Sequence, residues 1–284
     1  MTAPSDVSLL VVGVVRNGAR RMGADLDRLQ AATAGFASVQ WLIVESDSTD
    51  DTVARLQARR AARPGFDYLS LGALRATHPL RTDRIAHCRN AYLDALAQQP
   101  RFAGVTHVLV ADLDGVCGAL RAESLAACFA LPLDWAMCAA NQGDYYYDIW
   151  ALRHPQWCPG DAWAERQALV PLVGETEADQ LALFARMLHI APGRAPIEVD
   201  SAFGGLALYR RDALSAGRYA GLDAQGREVC EHVALHAALR AAGHRLYIVP
   251  ALINARRTRH AGRKKFWRTL RRKAWNWLRG RDTG

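Results

Sequence analysis

Lysine is almost missing from this chain of 284 residues: Lys264, Lys265 and Lys273 are the only three, and none lies between residues 115 and 255. Long apolar runs are missing too. A membrane-spanning helix needs about 20 apolar residues; the run Val7–Val15 is too short and has no basic residues before it. It reads as a buried strand rather than a leader or an anchor, and the expectation is a protein that is not integral to a membrane. No two of the six cysteines (Cys88, Cys117, Cys128, Cys138, Cys158, Cys230) stand two to four residues apart. That removes the common zinc-site spacing. Most sit in apolar surroundings, where free cysteine behaves as a small hydrophobe, so a reducing cytosolic compartment without a disulfide framework is expected. Internal repeats and low-complexity linkers are absent as well.

What is present suits a sizeable core. Half of the residues are hydrophobic (50%) and 23% are charged, ordinary for a globular protein. The net charge of +8 is uneven. From Arg256 to Gly284 there are 12 Lys or Arg and one acid, Asp282, while the preceding 255 residues carry 24 basic and 27 acidic side chains. The body is therefore slightly acidic and the basicity belongs to the tail.

Along the first 140 residues, apolar strand-like runs alternate with segments of helical period. Residues 7–15, 39–45, 66–71, 105–114 and 134–140 read as strands; 19–35, 48–62 and 81–99 read as helices. That alternation predicts a single Rossmann-type α/β sheet, mainly parallel, with helices on both faces. Further helices are expected near 161–170, 176–189 and 227–243. Short strands are expected around Gly204 and Gly205, and a last strand over 245–250. In such sheets ligands gather beyond the carboxyl ends of the strands. Three strand ends are polar there: Arg16 and Asn17; Glu45, Ser46 and Asp47; Asp112 and Asp114.

The stretch VLVADLDG ends a strand with two aspartates one residue apart. Such a pair can hold Mn²⁺ or Mg²⁺ against a diphosphate, because hard cations take one or two carboxylates plus substrate phosphates. DLDG also matches the first motif of haloacid-dehalogenase-like phosphatases, whose first Asp attacks phosphate. That family places the motif on its first strand and needs a downstream lysine; here three strands precede it and the lysine is lacking. A third reading is a turn cap without chemistry.

Several motifs together resemble the GT-A-type nucleotide-sugar glycosyltransferases. They are VVRNGA, VESDSTDDT, RIAHCRNAYL, VLVADLDG, YYYDIWALR, DSAFGGLALYRRDAL and CEHVALHAALRAAG, from about residue 8 to 255. More narrowly, the chain is similar to the capsule-associated, cryptococcal-type mannosyltransferase group and its bacterial relatives. The resemblance implies one GT-A-like unit over 1–255, with a nucleotide-sugar half (1–140) and an acceptor half (141–255), and a basic tail over 256–284. It implies that Val15, Arg16 and Asn17 lie along the nucleotide, that Glu45 and Asp47 face its base or ribose, and that Arg84 and Asn90 reach the sugar or diphosphate. Asp112 and Asp114 would hold the metal with His260 as a third ligand, and Glu231, with Asp148 behind it, would act at the acceptor. Transfer from a nucleoside-diphosphate sugar, GDP-mannose in that subgroup, to a glycan or lipid-linked acceptor is the implied activity.

Bland readings stand beside these. Asp47 can be a helix cap, Arg84 and Arg89 surface charges, and Tyr145, Tyr146 and Tyr147 a packed loop or a sugar platform. Gly204 and Gly205 can form a plain turn or admit a sugar. In the tail, Phe266, Trp267, Leu270, Ala274, Trp277 and Leu278 share one helical face opposite Lys264, Lys265, Arg268, Arg272 and Arg279. A basic amphipathic helix of this kind suits an anionic membrane surface, giving a peripheral enzyme on the inner face of the cytoplasmic membrane. Packing on the body is the alternative, as is nucleic-acid binding, against which the acidic body and the lack of a recognised motif argue.

Overall fold

The computed structural model describes residues 2–256. The strands are β1 (Ser8–Val15), β2 (Ser38–Glu45), β3 (Phe66–Ser70), β4 (His107–Ala111), β5 (Met137–Gln142), β6 (Ile197–Val199), β7 (Leu206–Arg210) and β8 (Leu246–Ala255). They form one sheet in the order β3-β2-β1-β4-β7-β5-β8-β6. The pairs β1–β2, β1–β4, β2–β3 and β5–β8 are parallel. Strand β7 inserts antiparallel between β4 and β5, and β6 closes the far edge antiparallel to β8. The strands after residue 136 thus extend the sheet begun by the first four.

Alternating side chains of the buried strands feed two cores. Leu9 and Val11 of β1 pack with Met22, Leu26 and Leu29 of α1 (Met22–Ala32), Leu56 of α2 (Thr52–Ala62) and Leu125 of α4 (Ala122–Phe129). Leu10 and Val12 pack with Tyr92 and Leu96 of α3 (Arg81–Gln98) and Leu235 and Leu239 of α7 (Glu231–Ala241). Each such side chain contributes about 1.5–3 kcal/mol by burial, so the sheet is held rigid between two helical layers.

Three elements depart from the sequence reading. Helix α4 fills a stretch in which the sequence predicts no element; it is short and has no side-chain N-cap bond, and buried Leu125, Cys128 and Phe129 hold it by packing. Strand β8 continues past Pro250 to Ala255. Proline lacks the N–H a ladder needs, and the β5–β8 register slips between Ala139 and Asn141. There the side chain of Asn141 donates to the Pro250 carbonyl at 3.1 Å. The helix expected over 176–189 also stops early: α6 spans Glu175–Ala182, after α5 (Ala162–Val173).

Candidate functional site

Beyond the carboxyl ends of β1 and β4 opens a cavity of about 690 Å³. Its wall includes six arginines (Arg16, Arg20, Arg21, Arg81, Arg84, Arg89) and four acids (Asp112, Asp114, Asp148, Glu231). The acids arrive from three places: the end of β4, the loop after β5, and the first residue of α7.

The loop carrying the aspartate pair is fixed from behind. The N–H of Asp112 donates to the carbonyl of Gly205 at 2.9 Å, which ties the end of β4 to the turn before β7. Asp25, buried on α1, accepts from the N–H groups of Gly115 (2.7 Å) and Cys117 (3.2 Å). Gly115 has φ +101°, a conformation that favours glycine, so the chain can bend directly after the motif. Arg21 donates to the carbonyl of Asp114 at 3.3 Å. With these supports Asp114 stays exposed while Asp112 turns half-buried toward α3.

Arg89 lies at the centre of the site. It is 2% exposed, donating through Nε to Glu231 at 2.9 Å and through Nη2 to Asp112 at 3.1 Å. Its guanidinium also faces the rings of Phe203 and Tyr219, with 5.1 and 5.7 Å to their centroids. Burial opposes the charge of the arginine, but Tyr92 and the carboxylates of Glu231 and Asp112 hold it protonated, its pKa well above the ordinary value. Burial, helped by repulsion from Asp114, Glu231 and Asp148, pushes Asp112 up to about 7 against the pull of Arg89. Asp148 is likewise raised by burial while its oxygens accept from the N–H groups of Gly204 (2.9 Å) and Ala151 (3.4 Å). Beside Glu231, the ring of His232 stacks on Phe203 at 3.9 Å. Burial lowers its pKa well below the usual histidine range, so it is a neutral wall.

The expected residues divide accordingly. Val15, Arg16, Asn17, Arg84, Asp112, Asp114, Asp148 and Glu231 all line the cavity. Three others are placed differently. Both side-chain oxygens of Glu45 are used within the protein, accepting from the Ser48 N–H (2.8 Å) and the Ser70 hydroxyl (2.6 Å). Asn90 clamps the backbone of Tyr219 through both ends of its amide, at 2.9 and 3.0 Å. Asp47, with φ +54°, accepts from the Arg75 N–H at 3.1 Å and is not among the lining residues. Glu45 and Asn90 thus brace the fold, while the second carboxylate oxygen of Asp47 has no partner among the described residues. Of the three tyrosines, Tyr146 is fully buried. Gly204 and Gly205 have φ +70° and +81°, and a Cβ on them would meet Ala140 O at 2.5 Å and Tyr147 Oη at 2.7 Å, so this turn packs against protein. His260 lies outside the described residues.

Among the residues of the site that the sequence reading gives no role, Arg89 is read as a surface charge, and Asp25 is not singled out. Arg89 occupies the apolar stripe of α3 with Ile85, Tyr92 and Leu96, and a charge within such a stripe is a readable sign of a buried partner. Asp25 carries no comparable sign.

Among the described residues, no three His, Cys, Asp or Glu side chains stand together to hold a metal. Two do suffice for a hard cation that completes its shell from phosphate oxygens. Asp112 and Asp114 offer two carboxylates on the wall of one cavity, so the pair fits one.

No family model and no curated protein matches the sequence. The fold is shared with solved structures. The mannosyltransferase PcManGT from Pyrobaculum calidifontis, in complex with GDP-Man and Mn²⁺, aligns over 89% of this chain with 15% identity and a TM-score of 0.50. TarS from S. aureus aligns over 85% with 12% identity and a TM-score of 0.50. This chain covers 58% of the first and 35% of the second. The described body thus has the α/β fold of GT-A-type glycosyltransferases: one mostly parallel sheet of eight strands with helices around it.

Proposed function

We propose that the protein is a metal-dependent glycosyltransferase that moves a sugar, mannose in the first instance, from a nucleoside-diphosphate donor to an acceptor used in surface polysaccharide synthesis. The observation that carries this reading is Asp112 and Asp114 at the rim of a cavity that also holds six arginines. A bound Mn²⁺ or Mg²⁺ on Asp112 and Asp114 supplies charge neutralisation to the departing diphosphate. Arg16 and Arg84 add fixed positive charge beside that group, in a site where preorganised charge acts most strongly. Arg89 holds the carboxylates of Asp112 and Glu231 in place. As the anomeric carbon becomes oxocarbenium-like, its bond to the diphosphate oxygen breaks and the acceptor oxygen forms the new one. With inversion, the acceptor proton passes to Glu231 or to Asp148, whose carboxyl pKa is raised by burial above its ordinary value, which makes it a stronger base. With retention, toward which the subgroup resemblance leans, no base of that strength is required.

A thermal-shift panel of GDP, UDP, CDP and dTDP with and without Mn²⁺ identifies the base and the metal dependence together. A manganese-dependent shift for one nucleotide, lost in Asp114→Ala, is the expected result. No shift with any nucleotide removes the donor site. Undiminished transfer by Asp114→Ala removes the metal's role. Hydrolysis of a phosphate monoester by the wild type, abolished in Asp112→Asn, would favour the phosphatase instead.

A further inference from the structure

Beyond Asp148 the rim of the cavity turns aromatic. Trp150 lines the cavity, and its ring meets that of Trp163 at 5.8 Å between centroids and an angle of 64°. Trp163, in the first turn of α5, is 39% exposed. The two rings form a corner that runs from the cavity to the outer surface.

This corner is braced through the backbone. Asp161 caps α5, and its Oδ1 accepts from the N–H groups of Trp163 (2.9 Å) and Ala164 (3.0 Å). Its Oδ2 accepts from Arg153 Nη2 at 2.6 Å, while Arg153 Nη1 donates to the carbonyl of Trp150 at 2.9 Å. One ion pair therefore links the main chain at one tryptophan to the main chain at the other. Arg166 lies 5.7 Å from the Trp163 ring and supports it from another side. The indole N–H of Trp150 is buried without an acceptor among the described residues, so that ring is held by packing. Trp150 thus packs on the core with one side and lines the cavity with the other, and the half-exposed Trp163 continues its aromatic surface outward.

The geometry points to an acceptor subsite: Trp150 and Trp163 stack on the apolar faces of neutral pyranose rings and lead a glycan hydroxyl toward Asp148 and Glu231. This rests on the glycosyltransferase reading and deepens it by naming the acceptor as a carbohydrate chain. Indole surface suits the C–H face of a pyranose, and the carboxylates of Asp148 and Glu231 on the same cavity wall suit its hydroxyls. Pockets combine apolar surface with a few placed polar groups in this way. A lipid tail would call for a continuous aliphatic groove instead.

The test uses the full chain with di- to tetrasaccharides of mannose, glucose and N-acetylglucosamine, read by tryptophan fluorescence and calorimetry with GDP or UDP and Mn²⁺ present. The wild type is expected to bind at least one series, more tightly as the chain lengthens. In Trp163→Ala, an exposed change, that affinity falls about tenfold while the nucleotide affinity is unchanged. Binding of nucleotide but of no oligosaccharide overturns the subsite and leaves the donor reading standing. Glycan binding that Trp163→Ala leaves intact also overturns it. Glycan binding lost in Trp163→Ala without any nucleotide binding keeps the subsite and sinks the donor reading.

Discussion

Among single residues, the site turns on Arg89. A buried guanidinium between two carboxylates is a costly group to place and a worse one to remove, because each carboxylate is left without its partner. Arg89→Ala is expected to destabilise the fold by about 3–5 kcal/mol, seen as a lower urea midpoint. Arg89→Lys keeps the charge but not the fork that reaches Asp112 and Glu231 together, so intermediate stability and weak transfer are expected from it. Asp25 is the second such residue. Asp25→Ala leaves the N–H groups of Gly115 and Cys117 without an acceptor, at about 1–3 kcal/mol each. Because that loop positions Asp114, a weaker manganese response should accompany the stability loss, and an unchanged response would show that the loop holds without it. His236 sets a dependence on pH. Its ring nitrogens lie 2.8 Å from both Ser201 Oγ and Tyr209 Oη, and burial lowers its pKa to about 3. The unfolded chain takes up a proton near pH 6.5 that the folded ring refuses until about 3, so its contribution is complete above 6.5 and falls away as pH drops through that window. Asp112, raised to about 7, acts with the opposite sign between about 4 and 7, so the comparison must be a difference. His236→Gln should lose stability less steeply between pH 6 and 4, by about 1.4 kcal/mol per pH unit.

Among the elements, α3 decides the cavity through where it begins. A Cβ on Gly221 would stand 2.1 Å from both the carbonyl carbon and oxygen of Thr82, on the first turn of that helix. The Gly221 carbonyl also accepts from the Thr82 hydroxyl at 2.6 Å. Gly221→Ala must move main chain, and a loss of about 3 kcal/mol is expected, with the arginines of α3 displaced from the cavity. Gly35→Ala is the contrast: nothing lies within 4 Å of the place its methyl would take, and thermal unfolding should show no loss or a slight gain. The α3 stripe also shows how legibility fails. Its period is plain in the sequence, but Arg89 within it can be read as a surface charge because nothing local names a partner. Glu231 follows it 142 positions later.

For the molecule as a whole, the acidic body and the basic tail are separate problems. Among the described residues no helix is long and apolar enough to cross a membrane. The tail, residues 257–284, lies outside that description, and its association with an anionic membrane surface stands as a proposal. Flotation with liposomes containing anionic lipid, with and without residues 261–284, is the measurement. The full chain should float and the truncated one should not, and the effect should fade as salt screens the charges. Equal flotation of both would assign membrane contact to the body.

The order of residues is enough to read the alternation of strands and helices, the two aspartates at a strand end and the division of charge between body and tail. All of these are local properties, set by side-chain period and composition within a few turns of chain. Which charges meet is a matter of long-range packing. Inserting β7 antiparallel beside β4 brings Gly205 to Asp112, and packing α3 and α7 on one face of the sheet sets Arg89 between Asp112 and Glu231. The same packing makes braces of Glu45 and Asn90, because a polar side chain bonds whichever partner the folded chain puts within reach.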